Sequence, residues 1–147
     1  MERVPPTARR MSIVIDASAA IRLMLTRPSL DALRDLVEGD EMHTVSHFDI
    51  ECISGLRNLW IRRSLADEAF LQACRLPGHL PVRRHPITAL TDRIVALRHN
   101  ATPYDAAYIA LAEALRAPLL TDDRRLASTP GISCEIRRFP GHPGDGD

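Results

Sequence analysis

The chain has 147 residues, the length of one ordinary domain, and its 19 basic and 19 acidic side chains give a formal net charge of zero. A balanced charge excludes the global basic field that drives nonspecific nucleic-acid binding, so contact with a polyanion needs a local patch. The chain contains arginine but no lysine, which excludes P-loop phosphate transfer and lysine-dependent catalysis.

The two ends of the chain differ in composition from the middle. Residues 1–11 contain two prolines and three arginines without the apolar segment of a secretory signal, and we expect a disordered extension with Met11 as an alternative start. Residues 140–147 are rich in Gly, Pro and Asp and predict a flexible tail. Residues 12–139 are then expected to form a single domain.

Cysteine content and hydropathy favour a cytoplasmic protein. Cys52, Cys74 and Cys134 are widely spaced and odd in number, so we expect reduced thiols rather than a disulfide scaffold. No apolar run approaches the roughly 20 residues of a membrane span. We therefore expect a soluble protein without a membrane partner.

The first predicted strand ends directly on an acid. Residues 13–15 read Ile-Val-Ile, a run typical of a strand covered on both faces of a parallel sheet. A helical pattern follows Asp16, so this carboxylate is expected at a strand-to-helix junction, where open α/β sheets bind ligands. The alternative is that Asp16 only caps the helix.

Helices and short strands are predicted to alternate along the rest of the chain. The predicted helices cover residues 30–38, 47–62, 65–76, 87–99, 102–116 and 122–126. The predicted strands cover residues 42–45, 80–84, 118–121 and 132–136. This alternation implies a parallel sheet between helical layers, a three-layer α/β/α sandwich.

Asp105 interrupts a helix that is otherwise apolar all round and therefore expected to be buried. A buried carboxylate needs a partner, because burial without one costs several kcal/mol. The partner is either the cap of the helix at Thr102, together with the helix dipole, or a metal ion.

Further acids occupy comparable places. Asp122 and Asp123 follow the apolar residues 119–120 and Thr121, repeating the arrangement at Asp16; the alternative is a cap on the helix that begins at Arg124. Glu51 lies off the apolar stripe of its helix, and periodicity alone suggests a solvated acid.

Carboxylates that converge on one edge of a sheet form a hard-oxygen site, which suits Mg²⁺ or Mn²⁺ rather than zinc. His43 and His47 are four apart but straddle a strand end, so a zinc site there is not expected. The other histidines, His79, His85 and His99, are expected to be isolated on the surface. Mg²⁺ bound by carboxylates and a substrate phosphate is the combination that hydrolyses phosphodiesters.

Four segments together resemble the PIN domain and, within it, the VapC-type toxin ribonucleases of bacterial toxin–antitoxin pairs. They are residues 13–19 (IVIDASA), 47–51 (HFDIE) with Leu56 and Arg57, 102–112 (TPYDAAYIALA) and 120–126 (LTDDRRL). Their order and spacing are more specific than any one of them. The resemblance implies a PIN-like fold.

The resemblance also implies a catalytic site. By position, the acidic quartet of the family falls on Asp16, Glu51, Asp105 and Asp123, which would hold one or two Mg²⁺ ions and cleave RNA to a 5′-phosphate and a 3′-hydroxyl. Three further residues would have lesser roles: Ser18 and Thr121 match supporting hydroxyl positions, and Asp122 occupies a variable place as an assistant or a bystander.

Partners are implied by the same resemblance: a homodimer and a VapB-like antitoxin. The segment 65–76, with residues 59–61, would offer an apolar partner surface, unless it is plain core. If the fold is right, four arginines would ring the mouth of the site and hold RNA phosphates: Arg22, Arg57, Arg124 and Arg125.

Two rival functions remain open from the sequence. A phosphoryl-transfer domain with an aspartyl nucleophile, or a receiver module, shares the strand–acid layout but normally needs a lysine on a later strand, which this chain lacks. A catalytically silent PIN-like module that binds RNA or protein is the second rival. The intact quartet argues against it.

Overall fold

The computed structural model describes residues 11–26 and 40–138. The strands are β1 (Met11–Ile15), β2 (Asp40–Val45), β3 (Val82–His85), β4 (Leu119–Leu120) and β5 (Ile136–Arg137). The helices are α1 (Ala17–Thr26), α2 (Phe48–Ile61), α3 (Asp67–Ala73), α4 (Thr91–Ala96), α5 (Pro103–Leu115) and α6 (Arg124–Ala127).

These strands form one parallel sheet in the order β3-β2-β1-β4-β5, which confirms the predicted α/β class. The chain moves outward from β1 in one direction as far as β3 and then crosses to β4 on the other side. Right-handed crossovers place the helices before β3 on one face and those after it on the opposite face. The carboxyl ends of β1 and β4 are therefore neighbours at a topological switch point, where ligands bind in open α/β sheets.

The core forms where α5 crosses the sheet. Residues 106–112 of this helix are all buried, as its apolar sequence predicts, and they pack across β1, β2 and β4. On another part of the fold α1 packs against α2, and a Cβ on Gly55 would collide with Ile21 there. Both contacts position helices that carry predicted site residues.

Several predicted elements are shorter than their sequence patterns indicated, including the strand predicted over 118–121, which is β4. The helix predicted over 65–76 is α3 followed by a 3₁₀ turn at Pro77–His79. The helix predicted over 87–99 is a 3₁₀ turn, Thr88–Leu90, followed by α4, because Leu90 at the junction has ψ near 0°. The last strand starts at Ile136 rather than residue 132, since β4 offers only two residues to pair with.

Several predictions lie outside the described residues. They are the helix over 30–38, most of the extension over 1–11 and the tail over 140–147. Met11, the last residue of the predicted extension, is the first residue of β1 and pairs with Asp40.

The prediction that His85 is isolated on the surface is wrong. His85 Nε2 lies 2.8 Å from His43 Nδ1, and His43 is buried. The two rings meet because the register pairs Val45 with His85, which sets His43 diagonally across from His85 on one face of the sheet.

No helix of the described ranges is long and apolar enough to cross a membrane. The three cysteines in those ranges are free thiols. Cys52 lies in the core, and its burial raises the pKa of the thiol, so this side chain is not a nucleophile.

Candidate active site

Asp16 is the most buried acid of the predicted quartet, with 3% of its surface exposed. Its Oδ1 accepts hydrogen bonds from the Ser18 hydroxyl (2.7 Å) and the Ala19 amide (2.9 Å), and its Oδ2 accepts one from the Thr121 hydroxyl. The bond from Ala19 shows that Asp16 does cap α1. Burial nevertheless raises the pKa of Asp16 to about 6, with a further contribution from the charge of Asp123. Capping thus does not compensate for burying this charge.

The Ser18 and Thr121 hydroxyls join the ends of β1 and β4. Their oxygens lie 3.2 Å apart beside Asp16. Each also accepts a bond from the next loop: the Asp122 amide donates to Ser18 (2.9 Å) and the Asp123 amide donates to Thr121 (3.1 Å). Both hydroxyls therefore lie between Asp16, which follows β1, and the loop with Asp122 and Asp123, which follows β4.

Asp122 and Asp123 are adjacent in sequence but differ in their partners. Asp122 Oδ1 forms an ion pair with Arg22 Nη1 at 2.7 Å. Asp123 Oδ1 accepts bonds from the amides of Arg125 (2.9 Å) and Leu126 (3.4 Å), so it caps α6 as the structural alternative expected. The negative charge of Asp123 still raises the pKa values of Asp16 and Asp105.

Asp105 lies in the first turn of α5 and is half-buried. Thr102 caps this helix through a bond from the Asp105 amide to its hydroxyl (3.2 Å). Burial and then the charge of Asp123 raise the pKa of the Asp105 carboxyl, although Thr102, Arg125 and His47 act in the opposite direction. The surroundings of Asp105 therefore disfavour its charge on balance, which a purely structural cap would not.

Glu51 is not the solvated acid that periodicity suggested. Only 27% of its side chain is exposed, and its Oε1 accepts a bond from the Tyr108 hydroxyl (3.1 Å) while His47 Nε2 lies 2.9 Å from the same oxygen. Burial raises the pKa of Glu51, and the charge of Asp105 raises it further.

His47 and Tyr108 are functional candidates that sequence reasoning missed. The His47 ring meets the rings of Tyr104 and Tyr108 edge-on, with centroids 5.6 and 5.5 Å apart, and burial lowers its pKa. The sequence did contain one indication for His47: it precedes Glu51 by four residues, a spacing that places two side chains on the same face of a helix. Tyr108 gave no such signal, since it belongs to an all-apolar helix.

A salt bridge fixes the amino-terminal turn of α2 that carries Glu51. Arg84 on β3 donates to both oxygens of Asp49 (2.6 and 2.8 Å) and to the Pro77 carbonyl (2.7 Å). A bidentate pair of this kind restricts orientation as well as distance. The salt bridge therefore restrains the first turn of α2, which carries Glu51.

Removal of the Tyr108 hydroxyl tests this support. We expect Tyr108→Phe to reduce catalytic turnover several-fold and to destabilise the fold by about 1 kcal/mol, because Glu51 loses one hydrogen bond while the ring keeps its packing. Steady-state kinetics and urea denaturation measure the two effects. Unchanged turnover would show that the Glu51–Tyr108 bond has no catalytic role.

The four acids are linked by charge but stand apart. The charge of Asp123 raises the pKa values of Asp16 and Asp105, and the charge of Asp105 raises the pKa of Glu51. Within 11–26 and 40–138, no three His, Cys, Asp or Glu side chains are arranged to hold a metal ion as they stand. The donor chemistry, carboxylates with supporting hydroxyls, fits a hard divalent cation.

The four arginines expected at the mouth are not equivalent. Arg22 is paired with Asp122. Arg57 is exposed on α2, six residues beyond Glu51 and so about 9 Å along the helix axis. Arg124 and Arg125 are exposed on α6, and Arg125 lines a groove together with Asp105.

Comparison with protein families identifies the family of this chain. The family model for the PIN domain matches residues 13–132. The chain belongs to the PIN domain family. Ribonuclease VapC12 of Mycobacterium tuberculosis is 43% identical to this PIN domain over 84% of the chain and 96% of that protein. Ribonuclease VapC9 of the same species is 38% identical over 87% of the chain and 98% of that protein. This PIN domain is thus of the VapC type.

Solved structures show the same fold at low sequence identity. VapBC from Salmonella typhimurium, in a DNA-bound crystal structure, matches with a TM-score of 0.62 and 16% identity, over 87% of this chain and 98% of that chain. VapBC2 from Rickettsia felis, bound to a promoter DNA fragment, matches with a TM-score of 0.61 and 14% identity over the same shares.

Proposed function

We propose that this PIN domain is a metal-dependent endoribonuclease, with Mg²⁺ as its ion and Mn²⁺ as a substitute. The observation that carries this proposal is the buried Asp16 carboxylate at the shared end of β1 and β4, held there by the Ser18 and Thr121 hydroxyls. Burial raises the pKa values of Asp16, Glu51 and Asp105, so their negative charge is a cost in the folded protein. A divalent cation would remove that cost. Hydrolysis of an RNA phosphodiester is the reaction that such a site supports, and the relatives are named ribonucleases.

The quartet Asp16, Glu51, Asp105 and Asp123 would hold the ion. When bound, the ion supplies a water of lowered pKa and positive charge for the phosphate oxygens. Ser18 and Thr121 fix the Asp16 carboxylate by donating to its two oxygens. Tyr108 donates to Glu51 and keeps it directed at α5. Asp122 and Arg22 would hold the loop after β4 against α1 rather than act on substrate.

The protein partners that we propose are based on the relatives of this PIN domain and not on the geometry of its site. We propose that the chain acts in the cytoplasm as the toxin of a type II toxin–antitoxin pair, with residues 12–139 as the nuclease domain. It would form a homodimer and bind a VapB-like antitoxin, since the structural neighbours are VapBC assemblies. The surface expected for a partner is exposed: Trp60 stacks on Phe70, and Ile61 and Leu71 are more than half exposed. The same segment also contributes to the core, because Ala73 is buried and Leu65, Phe70 and Leu76 pack against the core.

Cleavage of a labelled RNA with and without Mg²⁺ tests the activity. Cleavage should require the ion, stop with a chelator and be lost in Asp16→Asn and Asp105→Asn, prepared in parallel with the parent protein. A substituted protein that cuts as well as the parent would show that the activity belongs to a contaminant or to another site.

Metal binding should also be visible without any substrate. We expect Mg²⁺ to raise the melting temperature, because an ion that binds only the folded protein adds about 1.4 kcal/mol of stability at ten times its Kd. Differential scanning calorimetry measures this shift, and Asp16→Asn should diminish it. An identical shift in both proteins would place the ion elsewhere.

A further inference from the structure

A groove opens beside Asp105, between the α4–α5 connection and α6. It encloses about 380 Å³. Six residues that line it matter here: Arg98, Asn100, Thr102, Asp105, Arg125 and Thr129. Because Asp105 is part of its wall, the groove continues directly from the candidate active site. Its volume lies near the lower end of small-ligand sites, so it fits a short stretch of single strand rather than a duplex.

The two walls of the groove are joined to each other. Asn100 Nδ2 donates to the Pro130 carbonyl (3.2 Å), and Arg93 Nη2 donates to the Gly131 carbonyl (2.8 Å). These bonds connect the α4–α5 region to the loop that follows α6. These bonds restrain the positions of the two walls before any ligand binds, which lowers the entropic cost of binding.

Two arginines bring positive charge to the groove beside Asp105. Arg98 and Arg125 are exposed on its walls, and the bond from Arg98 Nη1 to the Val95 carbonyl (3.0 Å) uses one of five guanidinium N–H donors. A chain of zero net charge has no global field to offset the repulsion between RNA and its acids. Two arginines beside Asp105 supply that attraction locally.

We propose that this groove is a substrate subsite, in which Arg98 and Arg125 bind a backbone phosphate of single-stranded RNA adjacent to the phosphate that is cleaved. The inference rests on the proposed ribonuclease function and defines the direction in which the RNA strand leaves the active site. The strand leaves the acids between the α4–α5 connection and α6. On the α1 side, Arg22 is instead paired with Asp122. Arg98 was not among the arginines that the sequence suggested, because its position beside Asp105 depends on the turn after α4.

The test compares Arg98→Gln and Arg125→Gln with Arg83→Gln. Arg83 is an exposed arginine on β3, at the opposite edge of the sheet from β4 and β5, and serves as the matched control. Binding of a short fluorescein-labelled single-stranded oligoribonucleotide of mixed sequence is followed by anisotropy over a range of salt concentrations, with a chelator present to prevent cleavage. Cleavage of the same RNA in Mg²⁺ gives kcat and KM.

Loss of one phosphate contact should weaken binding about three- to tenfold and lower the slope of log K against log salt by about 0.7. Arg98→Gln should raise KM with little change in kcat, and Arg98→Lys should retain the salt slope because it keeps the charge. Arg125→Gln should also affect kcat, because Arg125 lines the groove together with Asp105. Arg83→Gln should behave as the parent protein.

Two results would overturn the subsite. If the parent protein cuts RNA but Arg98→Gln binds with the affinity and salt slope of Arg83→Gln, the subsite is wrong while the ribonuclease function stands. If the parent protein neither binds nor cuts RNA, the proposed function and the subsite fail together. Melting temperatures close to that of the parent show that the variants are folded, as expected for exposed side chains.

Discussion

Asp16→Asn should abolish RNA cleavage while increasing the free energy of unfolding at pH 7. The loss of activity should reach about three orders of magnitude, because a ligand of the ion is worth several kcal/mol in the transition state. The gain in stability follows from removing a buried charge whose hydrogen bonds do not compensate for its desolvation. Asparagine is also a good helix cap, so the start of α1 should persist.

The pH dependence of stability provides a second measurement of the same effect. The pKa of Asp16 is about 6 in the folded protein against an ordinary 3.8, so the folded state binds this proton more tightly. The contribution of Asp16 to stability in the absence of metal should therefore be greatest below pH 4 and be lost as the pH rises through 6, with a limit of about 3 kcal/mol.

Urea denaturation of the parent protein and Asp16→Asn between pH 4 and pH 7, with chelator present, measures that dependence. The two curves should converge at the acid end and separate towards neutrality, with the variant more stable. A variant that is less stable at pH 7 would mean that the bonds to Asp16 outweigh its burial. The electrostatic basis of the metal proposal would then fail.

Asp105→Ala should likewise remove activity and leave the metal-free protein equally stable or more stable. The pKa of this carboxyl is raised by burial and by Asp123, so its negative charge is a net cost in the folded state at neutral pH. Thr102 would still cap α5, because the bond it accepts comes from the backbone amide of residue 105.

Thermal melts in chelator, with Thr102→Ala beside Asp105→Ala, separate the two roles of this helix start. Loss of the true cap at Thr102 should cost about 1 kcal/mol. A comparable or larger loss in Asp105→Ala would assign Asp105 to capping and remove it from the candidate site. Asp105→Asn, which keeps the size of the side chain, controls for packing.

The sequence predicted the fold because its signals are local and agree with one another. An Ile-Val-Ile run that ends on Asp16 defines both a buried strand and its ligand edge, and the all-apolar helix after Asp105 has the sequence of a core element. Helix and strand lengths were less accurate, since tertiary pairing sets them. The last strand is two residues long because β4 offers only two partners.

The site was less predictable because contacts between distant residues decide it. Periodicity left Glu51 in solvent, whereas Tyr108, 57 residues away, donates to it. No local pattern distinguishes Asp122 from Asp123. The backbone turn into α6 places Asp122 against Arg22 and Asp123 against the first amides of the helix. The pairing of His43 with His85 likewise needs the register of β2 and β3.

The pairing of β5 with β4 makes the carboxyl-terminal edge of the domain a structural support of Asp16. The Thr121 amide donates to the Arg137 carbonyl (3.0 Å), and the Thr121 hydroxyl donates to Asp16. Fraying of the outermost strand would release Thr121 and, through it, the carboxylate at the opposite end of the sequence. Affinity tags or truncations placed near residue 138 would therefore perturb catalysis without touching an acid, so tag position is an experimental variable for this enzyme.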